Sequence, residues 1–292
     1  MFWSAWTKGK YLIILGDPSK ISNMNTPEDN GSGQQRPDTV SALERGIAVL
    51  RCFTEERRTL TSTELSRLTG VPRATVGRLA STLATLGLLK QQPDGDRYML
   101  GPGVISIARV FLAGLDVRAV ARPHMQALAE AASGSVYLAV PDGLEMVLIE
   151  ACRPRTTMLS PRLDVGSRAP IANSALGRAY LWALAKPERE ALVESLRLSR
   201  GSEWAALEPG LRRSLADADQ LGYSISAGEF HREINSVSVP LVGPGGEVMA
   251  LNCGTAAFFY TDERLCQVVA PQLLRMADAL AADIGGHVPK PR

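Results

Sequence analysis

Between positions 41 and 89 apolar residues recur at intervals of three and four, the spacing of helices with one buried side. In SALERGIAVLRCF (41–53), Leu43, Ile47, Leu50 and Phe53 share one register, which predicts a first helix with those four as its apolar face. Thr61 followed by Glu64 has the pattern of a reciprocal cap, so a second helix is expected to start there and run to about Thr69 on a stripe of Leu65 and Leu68. Gly70 ends it, Val71 packs in the turn, and Pro72 suits the first turn of a third helix, where its missing N–H costs nothing. In that helix Val76, Leu79, Leu83 and Leu86 fall within one arc, with Ala74, Gly77, Arg78, Ser81 and Thr85 opposite. After Leu89, the turn Pro93-Asp94-Gly95-Asp96 separates two short extended pieces.

Helix, helix, helix, hairpin is the plan of a winged helix-turn-helix. The polar side of the third helix has the make-up of a groove-reading surface. Small residues admit the backbone close to base edges, and arginine supplies a two-pronged donor for guanine or a charge for phosphate. Arg73, Ala74, Gly77, Arg78 and Ser81 are the candidates, with Arg78 expected to reach a base or the phosphate beside it. Thr75 lies nearer the core edge, where it supports the helix or touches phosphate. Thr61 and Ser62 at the start of the second helix, and Lys90 and Arg97 in the hairpin, complete the DNA-facing set, the last two as phosphate contacts. The same pattern fits an ordinary helical pair with a solvated polar face, so charge matters. Residues 39–101 hold nine basic and six acidic side chains, an excess of +3 where the whole chain carries +2. That excludes a strongly basic nucleic-acid coat and favours a local patch for double-stranded DNA.

Residues 104–115 (VISIARVFLAGL) are apolar nearly all round. Beside a small DNA-binding unit such a helix either packs inside its own chain or pairs with a second copy. Pairing would set two reading helices on successive major grooves, about one DNA turn apart, and implies a palindromic operator. From Arg118 the pattern alternates. A helix over 118–132 precedes the strands SVYLAV and EMVLIEAC, which meet at Pro141-Asp142-Gly143. Helices over 174–185, 187–196 and 209–221 precede the strands YSISAG, INSVSVPLV and EVMALNC, the last two joined by a glycine-rich turn, and a final helix covers 262–284. Strands joined by tight turns predict antiparallel pairing with helices packed on the sheet, an α+β fold.

Within INSVSVPLV, Ile234, Ser236 and Ser238 share one face, and two hydroxyls in an otherwise apolar strand can line a pocket for a small polar ligand or be satisfied in the core. Glu229 sits just before this strand. Asn173 and Ser174 stand where they can cap the helix that follows, and a helix N-terminus with free N–H groups is a seat for a carboxylate.

The remaining composition narrows the function. The cysteines Cys52, Cys152, Cys253 and Cys266 and the histidines His124, His231 and His287 are scattered without metal-ligand spacing, so no metal, cofactor or disulfide framework is expected and reduced thiols fit a cytoplasmic protein. The apolar run Tyr11-Leu12-Ile13-Ile14-Leu15 is too short to span a bilayer and lacks the features of a signal peptide, so no membrane partner is expected. Residues 18–38 are polar and rich in Gly, Pro, Ser and Asn, which reads as disorder; with Met24 inside it, the leading segment also reads as an upstream over-extension of the reading frame. The main rival is an enzyme using Cys253 as nucleophile with His231 as base, which needs a lowered thiol pKa; a buried strand-end cysteine is the simpler reading. A second rival is a metabolite sensor whose helix-turn-helix serves protein contact only.

Five segments in order make the chain similar to the IclR family of bacterial transcriptional regulators over about 40–285. VSALERGIAVLRCF resembles the family's opening helix, and LTSTELSRLTGVPRATVGRLASTLATLGLL its helix-turn-helix. DGDRYMLGPGVISIA resembles its wing and linker entry. VGSRAPIANSALGRAYLWAL and AGEFHREINSVSVPLVGPGGEVMALNC resemble its effector domain. The resemblance implies a winged helix-turn-helix (39–101), a linker and dimerisation helix (102–117) and a GAF-like effector domain with an antiparallel sheet (118–286), between a tail at 1–38 and another at 287–292. It also implies dimers or dimers of dimers, a small-molecule effector that is an organic or aromatic acid, and an effector pocket at Ala172, Asn173, Ser174 and Ala175, at Ser226 and Glu229, and at Ser236 and Ser238. The chain departs from the family at Glu233, where many members carry glycine.

Overall fold

The computed structural model describes residues 39–93, 95–155, 163–259 and 261–291; the readings made of 1–38, Asp94 and Arg292 lie outside them. Over the described residues the chain divides into two units, 39–114 and 115–291.

The first unit runs α1 (Ser41–Arg51), β1 (Leu60–Thr61), α2 (Ser62–Thr69), α3 (Arg73–Thr85), β2 (Leu89–Gln91), β3 (Arg97–Leu100) and α4 (Gly103–Ala113). The reciprocal cap forms: the Glu64 N–H donates to Thr61 Oγ1 at 3.1 Å and the Thr61 N–H to Glu64 Oε2 at 2.7 Å, so two orphan donors at the start of α2 are satisfied. Gly70 closes α2 at φ 69°, a left-handed position suited to glycine. The Ser66 hydroxyl then donates to Val71 O at 2.6 Å, which fixes the turn into α3. Val49, Phe53, Leu65, Val71, Val76, Leu83 and Tyr98 meet in one core beneath an antiparallel sheet of order β1-β3-β2.

Three details depart from the apolar pattern. In α1, Leu43 and Ile47 are exposed and the buried side is Gly46, Ala48 and Val49, because α1 packs on its neighbours through its small residues. In α3 the buried residues are Val76, Ala80 and Leu83; Leu86 lies past the last helical residue and is exposed. The two-residue β1, which adds the third strand, was not anticipated. No residue of α4 is buried: Ile105, Ile107, Val110 and Phe111 are all exposed, Val110 by 74%.

The second unit contains α5 (Val117–Ala132), β4 (Ser135–Asp142), β5 (Glu145–Cys152), β6 (Arg168–Pro170), α6 (Ala175–Ala183), α7 (Lys186–Arg200), α8 (Trp204–Leu221), β7 (Ser224–Ala227), β8 (Ile234–Val242) and β9 (Val248–Ala256), closing with α9 (Asp262–Arg264) and α10 (Ala270–Ile284). Its six-stranded sheet is antiparallel throughout, with order β6-β5-β4-β9-β8-β7. Alternation along the strands divides the core. One face receives α5 and α10, and the buried Glu150 carboxylate of β5 ties α5 to the sheet through Arg118 at 3.2 Å and Arg122 at 2.7 Å. The other face, with Tyr137, Ala139 and Ala250, receives α6 and, outside it, α7 and α8.

Here too the boundaries shift. The sequence pattern gives no strand at 168–170; β6 forms there by pairing with β5, with Met146 opposite Ala169. α7 is longer than expected at both ends, and α8 begins at Trp204 with Pro209 in its interior rather than at its start. The final helix is interrupted by a π turn at Leu265–Val269, beside Pro271, which has no N–H to give back to the preceding turn.

Candidate functional site

The two units carry two different surfaces. On the first, the arc of α3 opposite its core side presents Arg73, Ala74, Arg78 and Ser81 to solvent, while Thr75 and Gly77 are half-buried. A Cβ added at Gly77 would meet nothing within 4 Å, so the helix flank is open beside it. The Thr82 and Thr85 hydroxyls donate back to the Arg78 and Ser81 carbonyls. Lys90 on β2 and Arg97 on β3 are exposed as well. Among the described residues Arg73, Arg78, Lys90 and Arg97 form no ion pair, which leaves their charges available to an anionic partner. Of the DNA-facing candidates, Thr61 is engaged differently: its hydroxyl accepts from the Glu64 N–H and lies 2.9 Å from the Glu64 carboxylate. Ser62 beside it is half-buried.

On the second unit a cavity of about 70 Å³ opens between α6, the segment before β8, and the sheet. Its apolar lining comes from Tyr137, Leu163, Ala169, Leu176, Phe230 and Ile234, and its polar lining from Ser174, His231, Ser236 and Asn252, with Ala175 and Gly254 closing it. Ser174 caps α6: its hydroxyl accepts from the Gly177 N–H at 3.1 Å and donates to Pro170 O at 2.6 Å. That geometry needs Gly177, whose Cβ would lie 2.1 Å from the Ile171 Cα. The N–H groups of Ala175 and Leu176, in the first turn of α6, have no acceptor among the described residues, as the start of a helix dictates. Burial pushes the Tyr137 hydroxyl above its ordinary pKa, with Ser135 and Arg153 acting in the opposite direction.

The expected effector residues divide. Ser174, Ala175 and Ser236 line the cavity. Ala172 is buried in the core, and Ser238 is fully buried with its hydroxyl held by Asn252 Nδ2 at 2.8 Å. Asn173 and Ser226 hold the loop instead: Asn173 Nδ2 donates to Glu229 O at 3.2 Å, and the Ser226 hydroxyl to Asn173 O at 2.9 Å. Glu229 faces Arg178. That arginine, 1% exposed, donates from Nη1 and Nη2 to the two carboxylate oxygens at 2.7 and 2.6 Å. It also donates to the carbonyls of Ala172 and Ile225, each at 3.1 Å. One buried guanidinium thus joins the loop before α6, the end of β7 and the segment leading to β8. Ala172, Asn173, Ser226, Glu229 and Ser238 frame the cavity rather than line it, their polar atoms held by one another, by Arg178 and by Asn252.

Sequence reasoning missed Arg178, Asn252, Tyr137 and Phe230. Alternation along EVMALNC places Asn252 on the face shared with Ala250 and was the available signal. Cys253 lies on the opposite face, fully buried, and burial pushes its thiol up to about 12. A thiol so placed carries no thiolate at neutral pH, which removes the nucleophile that the enzymatic reading needs. Among the described residues no cluster of three His, Cys, Asp or Glu side chains could hold a metal ion, and no helix is long and apolar enough to cross a membrane.

Comparison with known proteins bears on both surfaces. Residues 42–93 match the model of the IclR helix-turn-helix domain, and residues 110–282 that of the bacterial transcriptional regulator IclR C-terminal domain. The chain is 32% identical to the HTH-type transcriptional regulator TsaQ1/TsaQ2 of Comamonas testosteroni over 77% of its own length and 80% of that protein. It is 28% identical to the Pca regulon regulatory protein of Pseudomonas putida, over 86% of each. Among solved structures, an IclR family transcriptional regulator from Brucella abortus superposes with a TM-score of 0.79 at 36% identity, covering 88% of this chain and 97% of that one.

Proposed function

Because the chain belongs to the IclR family of bacterial transcriptional regulators, a DNA-binding regulator and not an enzyme, we propose that α3 enters the major groove of an operator and that the cavity of the second unit receives a small organic acid. The observation that carries the reading is the unpaired arginine face of α3 standing on a closed core. In this reading Arg78 contacts a guanine or an adjacent phosphate, and Arg73, Ala74, Thr75, Gly77 and Ser81 line the approach. Lys90 and Arg97 contact phosphate, and Thr61 and Ser62 act through the fixed start of α2 and its backbone. The protein works in the cytoplasm, where its buried free thiols Cys52, Cys152 and Cys253 stay reduced.

The exposed apolar side of α4 supports a homo-oligomer, with α4 pairing against a second copy and two α3 helices reading the halves of a palindromic operator. Leu43 and Ile47 of α1 add exposed apolar surface to the same unit. For the effector, the free N–H groups of Ala175 and Leu176 at the start of α6 suit a carboxylate. Ser174, Ala175 and Ser236 are its direct neighbours in this reading, while Ala172, Asn173, Ser226, Glu229 and Ser238 hold the walls. A cavity of about 70 Å³ is under half the roughly 150 Å³ that accommodates benzene, which favours a short-chain acid over an aromatic one.

The test is a comparison of Arg78→Ala and Lys90→Ala with the native protein on an operator duplex and a scrambled duplex of equal length, at two salt concentrations. Arg78→Ala should cost roughly 1–3 kcal/mol and relax sequence preference. Lys90→Ala should lower affinity for every duplex alike and reduce the salt dependence. An Arg78→Ala protein with unchanged affinity and preference would remove α3 as the reading helix.

A further inference from the structure

The cavity floor holds an acceptor with nothing to accept. Asn252 is 5% exposed and lines the cavity from β9. Its Nδ2 donates to Val237 O at 3.2 Å and to Ser238 Oγ at 2.8 Å, both on the neighbouring strand β8. The first of these bonds settles which way the amide points. A backbone carbonyl can only accept, so the NH₂ must face Val237, and both its hydrogens are consumed there. The atom left over is Oδ1, which finds no donor among the described residues. It lies toward Gly254, two residues on along the same face, where an added Cβ would come within 3.5 Å of Oδ1 and 3.7 Å of the Ser236 Cβ. Glycine at 254 therefore leaves open the space that Asn252 Oδ1 and Ser236 border.

From this geometry we infer that the effector is a hydroxy acid: a short-chain carboxylic acid whose hydroxyl donates to Asn252 Oδ1. The inference rests on the cavity being the effector site and names the chemistry that site selects. A carbonyl or second carboxylate oxygen placed against Oδ1 would set two acceptors face to face, and a bare methylene would cover the acceptor without satisfying it. Ser238, at first reading a ligand contact, is in this account a positioning residue: with Val237 O it locks the amide so that the acceptor, and not the NH₂, meets the ligand.

The experiment is calorimetric titration of the full chain with matched acids: lactate, propionate and pyruvate, and 3-hydroxybutyrate against butyrate. Each hydroxy acid should bind at least about tenfold tighter than its deoxy or keto partner. In Asn252→Ala that ratio should fall to within about threefold. Gly254→Ala, which fits its surroundings at ordinary contact distances but fills the floor, should weaken all five ligands. Should Asn252→Ala fail to fold, the ligand pairs and Gly254→Ala still decide the matter. Equal binding of hydroxy and deoxy acids, with Gly254→Ala weakening both, overturns the hydroxy-acid inference and leaves the cavity reading standing. No binding by any of the five overturns the cavity reading and the inference with it.

Discussion

Arg178 shows what a single side chain does in this fold. Its guanidinium is buried and uses four donor bonds, to Glu229 and to the carbonyls of Ala172 and Ile225, to hold the wall of the cavity together. Removing the carboxylate leaves a buried positive charge with fewer partners, which water can reach only from the side that Glu229 occupies. Breaking a fully buried pair typically costs 3–5 kcal/mol; the Glu229 side chain keeps 41% of its exposure, so Glu229→Ala should cost less, about 2 kcal/mol, read as a lower urea midpoint. The sequence hid this pair. Arginine in NSALGRAYLWAL looks like any polar position on a helix, and its partner lies 51 residues away. Ser236 was legible because alternation in a strand is local. Asn252 is harder to see: an amide beside a cysteine in an apolar strand has no local mark except alternation, which puts the two on opposite faces.

At the scale of elements, what was legible is what adjacent residues decide. The cap of α2 is written in Thr61 and Glu64 alone, and it forms as read. Its hydrogen bonds, from the Thr61 backbone first and the Thr61 hydroxyl second, hold the Glu64 carboxyl below its usual pKa. A folded pKa below the unfolded one gives stability that is present above the unfolded value and lost as pH falls through the folded one. Thr61→Ala removes the acceptor of the Glu64 N–H and should lower the protection of α2 amides in hydrogen exchange by about 1 kcal/mol; the part carried by the hydroxyl's bond to the carboxylate should fade in acid. A cost independent of pH would mean that the Thr61 hydroxyl gives the Glu64 carboxylate no support. The elements misread depend on distant partners. β6 is three residues long and exists only because β5 lies beside it. The buried side of α1 was set by how closely Gly46 and Ala48 let it pack, which hydrophobicity alone does not register. Leu86 kept the helical period but fell one residue beyond the helix.

At the scale of the molecule, the described residues divide into two units on either side of Gly114. Their link is α4, whose exposed Ile105, Ile107, Val110 and Phe111 make an apolar surface that one copy of the chain leaves uncovered. An aspartate there would have to be buried against apolar side chains in any pairing. Val110→Asp should therefore shift sedimentation toward the monomer and weaken operator binding at least about tenfold, since each half-site would then be bound alone. An oligomer unaffected by Val110→Asp would place the contact elsewhere. Regulation also belongs to this scale: a ligand alters DNA binding only if it binds one arrangement of the protein better than another.

The most direct test of the account is fluorescence anisotropy of the full chain on the DNA upstream of its own gene, beside a scrambled duplex of equal length, at two salt concentrations. The account predicts a preference for the upstream duplex of roughly 10³ or more that persists at the higher salt. Equal affinity for both duplexes, falling together as salt rises, would contradict it, since that is the behaviour of a basic patch and not of a reading helix.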